Sequence, residues 1–259
     1  MLLAIDIGNT NIVVGIFEGK KLRANWRIAT DVHRMGDEYG AILLNLLPQE
    51  GLSTEQVNKA VLCSVVPPME DTFVQLCQRY FHLSPLIIGA GVKTGVRICT
   101  DNPREVGADR VVNAAAAHRL YRGPLIIIDL GTATTFDAVS EEGDYLGGAI
   151  APGIGIATEA LSSRTAKLPQ IELVPPKQAI GKNTITAMQS GVMFGYIGLI
   201  EGIVARIKEE LGGKAKTIAT GGFAPLIAKH TQVIDIVDSD LTLVGLRLIY
   251  EMNNPEEGA

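Results

Sequence analysis

The feature that most limits what this chain can fold into is a repeat. Ala4-Ile5-Asp6-Ile7-Gly8-Asn9-Thr10 is matched later by Ile127-Ile128-Asp129-Leu130-Gly131-Thr132-Ala133. Each copy opens with an apolar run, meets Asp-x-Gly, and resumes as a second run. Ile12 to Phe17 ends at Glu18-Gly19-Lys20, and Thr134 to Val139 ends at Glu141-Glu142-Gly143-Asp144. Short apolar runs bounded by such turns read as β-strands. A third run follows in each copy, Leu22 to Ala29 and Tyr145 to Gly148. Strand, turn and hairpin recurring together point to a duplicated unit rather than to two unrelated hairpins.

After each hairpin the pattern alternates. Asp37 to Leu47, Glu70 to Phe81 and Val106 to Tyr121 carry helical spacing, with strands at Lys59 to Val66 and Leu86 to Ile88. Pro48 ends the first helix and Pro67-Pro68 close the first strand. Beyond the second hairpin, Gly155 to Ser163, Thr184 to Leu211 and Leu241 to Met252 read as helices. Thr217 to Thr220 and Val233 to Val237 read as strands. A hairpin-led sheet followed by alternation, twice over, predicts an α/β chain of two similar domains, 1–118 and 119–259.

Composition narrows the class. With 259 residues, 47% hydrophobic and 20% charged, the chain can fill two cores of ordinary size. A net charge of −5 gives no basic footprint, which argues against nucleic acid and against an anionic membrane surface. Cys63, Cys77 and Cys99 form no C-x-x-C pair and do not cluster with the histidines. They read as reduced, buried thiols of a cytoplasmic protein. Met1 to Asp6 lacks the basic start of a signal peptide. Gly191 to Arg206 is the one stretch to test for membrane insertion, and Glu201 and Arg206 keep it short of the roughly 20 residues a span needs. It reads as a buried helix whose glycines at 191, 195, 198 and 202 fall near one face and admit another backbone. The tail 253–259 is polar.

Five segments could carry chemistry. In Asp6-Ile7-Gly8-Asn9-Thr10-Asn11 the glycine turn aims backbone N–H groups at a phosphate chain, and the short polar side chains add donors. No basic residue neighbours Asp6 in sequence, so its carboxylate suits Mg²⁺ held through water. Asp129-Leu130-Gly131-Thr132-Ala133-Thr134-Thr135 repeats the arrangement, although Thr134 and Thr135 also suit a plain strand. In Asp101-Asn102-Pro103-Arg104-Glu105-Val106-Gly107-Ala108-Asp109-Arg110, Pro103 and the acids mark a helix start. Gly107 and Ala108 leave room for a ligand, and Asp109 beside Arg110 offers a base and a carboxylate-binding cation. Gly147 to Gly155 is glycine-dense enough for substrate or backbone to pass closely, and Thr217 to Ala224 ends a strand in Gly221-Gly222, which can take a flat nucleoside. No G-x-x-x-x-G-K-[ST] loop, dinucleotide fingerprint or G-x-S-x-G elbow is present.

Paired Asp-x-Gly hairpins with a late Gly-Gly turn resemble the acetate and sugar kinase, Hsp70 and actin superfamily. Its fold is two actin-like ATPase (ribonuclease H-like) domains with an interdomain nucleotide cleft. Within it, Asp6-x-Gly-Asn-Thr, Gly107-Ala108-Asp109-Arg110, Asp129-x-Gly-Thr-Ala-Thr, Gly147-Gly148-Ala-Ile-x-Pro-Gly and Gly181-x-Asn183-Thr184 resemble type III pantothenate kinase over essentially the whole chain.

The resemblance implies ATP-dependent phosphorylation of pantothenate, the first step of coenzyme A synthesis. It implies that Asp6, Ile7, Gly8, Asn9, Thr10, Asn11, Ile12 and Val13 hold ATP phosphates and metal, and that Thr132 touches ATP. Gly107, Ala108, Asp109 and Arg110 would bind pantothenate, with Asp109 as proton acceptor. Asp129 would bind a monovalent cation, K⁺ or NH₄⁺, and Thr184 would reach substrate in a homodimeric site. The glycine-lined helix after Thr184 is the candidate dimer contact. One departure stands out. The family often has a pocket-lining tyrosine just before Asp-Asn-Pro, where this chain has Cys99-Thr100, so Thr100 takes that place at the substrate. Two other readings compete: a non-catalytic accessory protein of gene expression, and a kinase for another small hydroxy metabolite.

Overall fold

A computed structural model of the chain describes residues 1–255; the last four residues of the polar tail lie outside it. The chain divides into two compact units. The first holds residues 1–96, 101–116 and the closing segment from Asp240. The second holds 97–100 and 117–239.

In the first unit, β1 (Leu2–Ile7), β2 (Asn11–Glu18) and β3 (Lys21–Ala29) form an antiparallel meander. Then α1 (Gly36–Leu46) leads to β4 (Lys59–Ser64), which pairs parallel to β1. Next, α2 (Pro67–Leu76) leads to β5 (Leu86–Ile87), parallel to β4. The sheet order is β3-β2-β1-β4-β5.

The second unit builds the same sheet. α3 (Ala108–Tyr121), whose first turns belong to the first unit, leads to β6 (Leu125–Leu130), β7 (Ala133–Val139) and β8 (Tyr145–Pro152), again an antiparallel meander. After α4 (Ile154–Ser163) and α5 (Thr184–Glu210), β9 (Lys216–Thr220) pairs parallel to β6. After α6 (Ala224–Ile227), β10 (Ile236–Val237) pairs parallel to β9. Its order, β8-β7-β6-β9-β10, is that of the first sheet element for element. The repeat read in the sequence is therefore a repeat of topology.

The cut at residue 118 does not describe the last helix, α7 (Leu241–Asn253). Its buried face, Leu243, Leu246 and Ile249, packs with Leu2, Ala4, Val61 and Cys63, and so returns the chain's end to the first unit. Two local expectations also change. Pro67 and Pro68 start α2 instead of ending a strand, since a fixed φ and a missing N–H suit a helix's first turn. Pro103 opens only a short 3-10 turn, Pro103–Glu105. Val106 then runs extended (φ −73°, ψ 122°) and α3 begins at Ala108.

Alternation along β1 sets the site. Leu3, Ile5 and Ile7 point into a core with Tyr39, Leu43, Phe73 and Leu76 from α1 and α2. Leu2 and Ala4 point to the opposite face, against α7 and Val112 of α3. A two-residue period puts Asp6 on that second face.

Candidate active site

In the first unit the Gly8–Asn11 turn closes through Gly8 N–H donating to the Asn11 carbonyl (3.0 Å). Thr30 anchors it twice: its N–H donates to the Thr10 carbonyl (3.0 Å) and its hydroxyl to the Gly8 carbonyl (2.7 Å). Asn9, Thr10 and Asn11 are left exposed. Ile7 and Ile12 are fully buried, so those two expected ATP contacts offer main chain only. Val13 is half-buried and packs with the α7-side cluster.

Cys63 stands opposite Asp6 in the β1–β4 register and on the same face. Its thiol is pushed well up, first by burial and then by the carboxylates of Asp6, Asp109 and Glu70. One buried thiol thus feels both aspartates, which the sequence places far apart. Asp109 is the second residue of α3, and its Oδ1 accepts from the Arg110 N–H (2.8 Å). Burial raises its pKa from the ordinary aspartate value, while the Arg110 N–H and charge pull it partly back. A carboxylate so poised suits a general base. Gly107 is required beside it, because a Cβ there would lie 2.5 Å from Asp109 Oδ1.

In the second unit, Asp129 is the penultimate residue of β6, between Thr135 of β7 and Thr220 of β9. Its turn is one residue shorter than the first: Leu130 pairs with Thr134, whereas Ile7 pairs with Ile12. Gly131 N–H closes it onto the Ala133 carbonyl (3.1 Å). Gly221, at φ +89°, lies so near that a Cβ would sit 2.5 Å from Asp129 Oδ1. The first glycine of Gly221-Gly222 therefore serves approach to the carboxylate. The glycine-dense segment also serves close approach, and the partner is backbone. A Cβ at Gly148 would meet the Phe136 carbonyl at 1.7 Å, and one at Gly153 the Thr132 carbonyl at 2.2 Å. Thr132 itself is exposed.

Thr100 lies in the second unit, half-buried, its hydroxyl buried with no hydrogen-bond partner and its methyl 3.7 Å from a Cβ position at Gly147. Thr184 is exposed at the start of α5, behind Asn183, whose side chain accepts from the Thr186 N–H (2.9 Å). It joins Pro152, Leu161, Met188, Gly195 and Tyr196 in lining an apolar groove of about 880 Å³.

Sequence reasoning missed Tyr196. Its hydroxyl hydrogen-bonds the hydroxyl of Thr134, just past the Asp129 turn, and burial raises its pKa. Nothing in a glycine-rich apolar stretch marks that tyrosine. The helix carrying it also differs from expectation. At Gly191, Gly195 and Gly198 an added Cβ would meet nothing within 4 Å, so that face of α5 is open. By length and composition α5 is also apolar enough to cross a membrane, with 33% of that window buried. Cys63 and Cys77 are buried as expected, burial lifting the Cys77 thiol to about 12, but Cys99 is exposed.

Asp6 beside an exposed polar turn fits Mg²⁺, which keeps several waters and takes one or two carboxylates together with substrate phosphates. Among the described residues no cluster of three or more His, Cys, Asp or Glu gathers to form an all-protein cage.

Two matching five-stranded sheets, each with a carboxylate and a glycine turn near the end of its first strand, make an actin-like fold. Across 97% of this chain and 98% of its own, the polyphosphate/ATP-glucomannokinase of Arthrobacter sp. strain KM superposes with a TM-score of 0.50 at 13% identity. A Campylobacter jejuni protein described as a Baf family transcriptional activator superposes with a TM-score of 0.64 at 20% identity, over 98% and 99% of the two chains. At such identities these likenesses concern fold alone. The chain belongs to the type III pantothenate kinase family, whose model matches residues 2–206. A type III pantothenate kinase of Dehalococcoides mccartyi is 57% identical over 252 residues, covering 97% of this chain and 96% of that one.

Proposed function

We propose that this chain transfers the γ-phosphoryl group of ATP to the primary hydroxyl of pantothenate, giving phosphopantothenate in the first step of coenzyme A synthesis. The observation that carries the reading is the buried Asp109 carboxylate, raised by that burial and set against Gly107, in a chain from this family. Asp109 accepts the hydroxyl proton as the substrate oxygen bonds to the γ-phosphorus and the bond to ADP breaks. Gly107, Ala108 and Arg110 hold the substrate, with Arg110 suited to its carboxylate.

Asp6 to Val13 and Thr132 hold ATP, and Mg²⁺ joins through water at Asp6. K⁺ or NH₄⁺ sits at Asp129. Thr100 and Thr184 line the substrate site. The open glycine face of α5 joins a second copy as a homodimer, and the enzyme works in the cytoplasm without nucleic acid or membrane. Assaying ATP consumption against pantothenate and a panel of other small alcohols tests the reading. Preference for pantothenate supports it, and equal turnover of an unrelated alcohol refutes the substrate.

A further inference from the structure

A cavity of about 640 Å³ opens in the first unit, lined in part by Phe17, Lys20, Lys59, Arg247, Tyr250 and Glu251. It lies at the far end of the sheet from the Asp6 turn. Leu2 pairs with Phe17 on one side and Lys59 on the other, and is four residues from Asp6 along β1, about 13 Å at a strand's rise.

Arg247 of α7 is only 7% exposed. Arginine is rarely so buried unless its charge is matched. Its Nη1 donates to Glu251 Oε1 (2.6 Å), and its guanidinium carbon lies 5.7 Å from the Phe17 ring centre. Its Nε is buried with no hydrogen-bond partner. An unsatisfied buried donor of this kind is costly, and the Nε edge of a guanidinium is one that receives an oxyanion side-on. Glu251 offsets one positive charge, and Lys20 and Lys59 leave the lining cationic.

We propose that this cavity is a second anion site, separate from the Asp6 turn, for a small metabolite bearing a phosphate or carboxylate group. Arg247 shifts to bring its Nε to the oxyanion, Lys20 and Lys59 supply the field, and Phe17 and Tyr250 wall the rest of the ligand.

The test is calorimetric titration of the full chain, first saturated with a non-hydrolysable ATP analogue so that the nucleotide site is filled. Pyrophosphate is the probe in one arm and citrate in the other, at constant ionic strength. Saturable binding at millimolar concentration or below is expected in at least one arm, and the arm that binds separates phosphate from carboxylate chemistry. Arg247→Met is expected to weaken it about tenfold, the equivalent of one charge-assisted hydrogen bond. The double variant Lys20→Ala/Lys59→Ala should also weaken it while ATP-dependent turnover is unchanged, and it decides alone should Arg247→Met fail to fold. No saturable binding in either arm, or an affinity the substitutions leave untouched, overturns the proposal.

Discussion

Gly107 and Asp109 are fitted to each other: a methyl group on the glycine would stand 2.5 Å from the carboxylate oxygen Oδ1. No side chain fits there unless the carboxylate moves. Gly107→Ala is expected to leave the fold intact, since no other atom lies closer than 3.7 Å. It should lower kcat by about a hundredfold, the scale on which a misplacement near 1 Å acts. Melting temperature and kcat measured on the same preparation check this. A wild-type kcat means that the position of the carboxylate does not govern the rate.

Asp109→Asn removes the base while keeping shape, and turnover should fall by about 10²–10⁴-fold. The variant should also be more stable near neutral pH. Burial raises the folded pKa of Asp109 above its unfolded value. The folded state then holds a proton that the unfolded state has lost, so this group's stabilising contribution is full below the unfolded pKa and disappears as pH rises through the folded one. Melting curves of variant and wild type should accordingly converge in acid and separate toward neutrality. Curves that separate in the reverse order refute the burial argument.

The sequence showed the duplicated hairpins because a strand's alternation and a glycine turn are local signals, and the two sheets repeat one order. What it hid depends on distant residues meeting. Cys63 stands beside Asp6 only because β4 returns parallel to β1 in register, and its thiol feels the distant Asp109 as well. The closing helix reads as helical from its own spacing, but no spacing tells which sheet Leu243 and Leu246 cover. Tyr196 and Thr134 are likewise separated by an entire strand and helix, and each looks like packing until the hydroxyls meet.

Gly221 ties a backbone conformation to a carboxylate. Its φ of +89° disfavours any side chain, and a Cβ would crowd both Asp129 Oδ1 and the Leu130 backbone at 2.7–2.8 Å. Gly221→Ala should cost about 1–2 kcal/mol for the left-handed backbone alone. If Asp129 holds the monovalent cation, wild-type turnover should require K⁺ or NH₄⁺, and the variant should lose that response. Comparing potassium, ammonium and sodium buffers checks both statements. Equal wild-type activity in sodium removes the cation from Asp129.

The Tyr196–Thr134 hydrogen bond joins α5 to the strand that follows the Asp129 turn. Tyr196→Phe should cost about 1–3 kcal/mol, because the buried Thr134 hydroxyl loses its partner. Thr134→Val should cost a similar amount for the same reason. The double variant should cost less than the sum of the two, since both partners are then apolar. Urea unfolding of all four proteins measures the coupling, and strict additivity shows that the two hydroxyls do not depend on each other.

The open face of α5 makes a demand of its own. Ile185 and Phe194 are 50% and 40% exposed, and Gly191, Gly195 and Gly198 leave a flat apolar strip beside the groove. Water-exposed apolar surface of this extent is unfavourable unless something covers it. A second copy fits the proposed dimer, because small residues spaced three and four apart let two helices approach closely. Gly195→Glu places a charge in that strip without touching the unit's own packing, since an added Cβ meets nothing within 4 Å. The wild-type chain should therefore sediment as a dimer and the variant as a folded monomer. Because Thr184 stands at the start of the same helix and lines the same groove, the monomer should also lose affinity for pantothenate. A variant that stays dimeric places the interface elsewhere. A monomer with full pantothenate affinity separates Thr184 from the substrate.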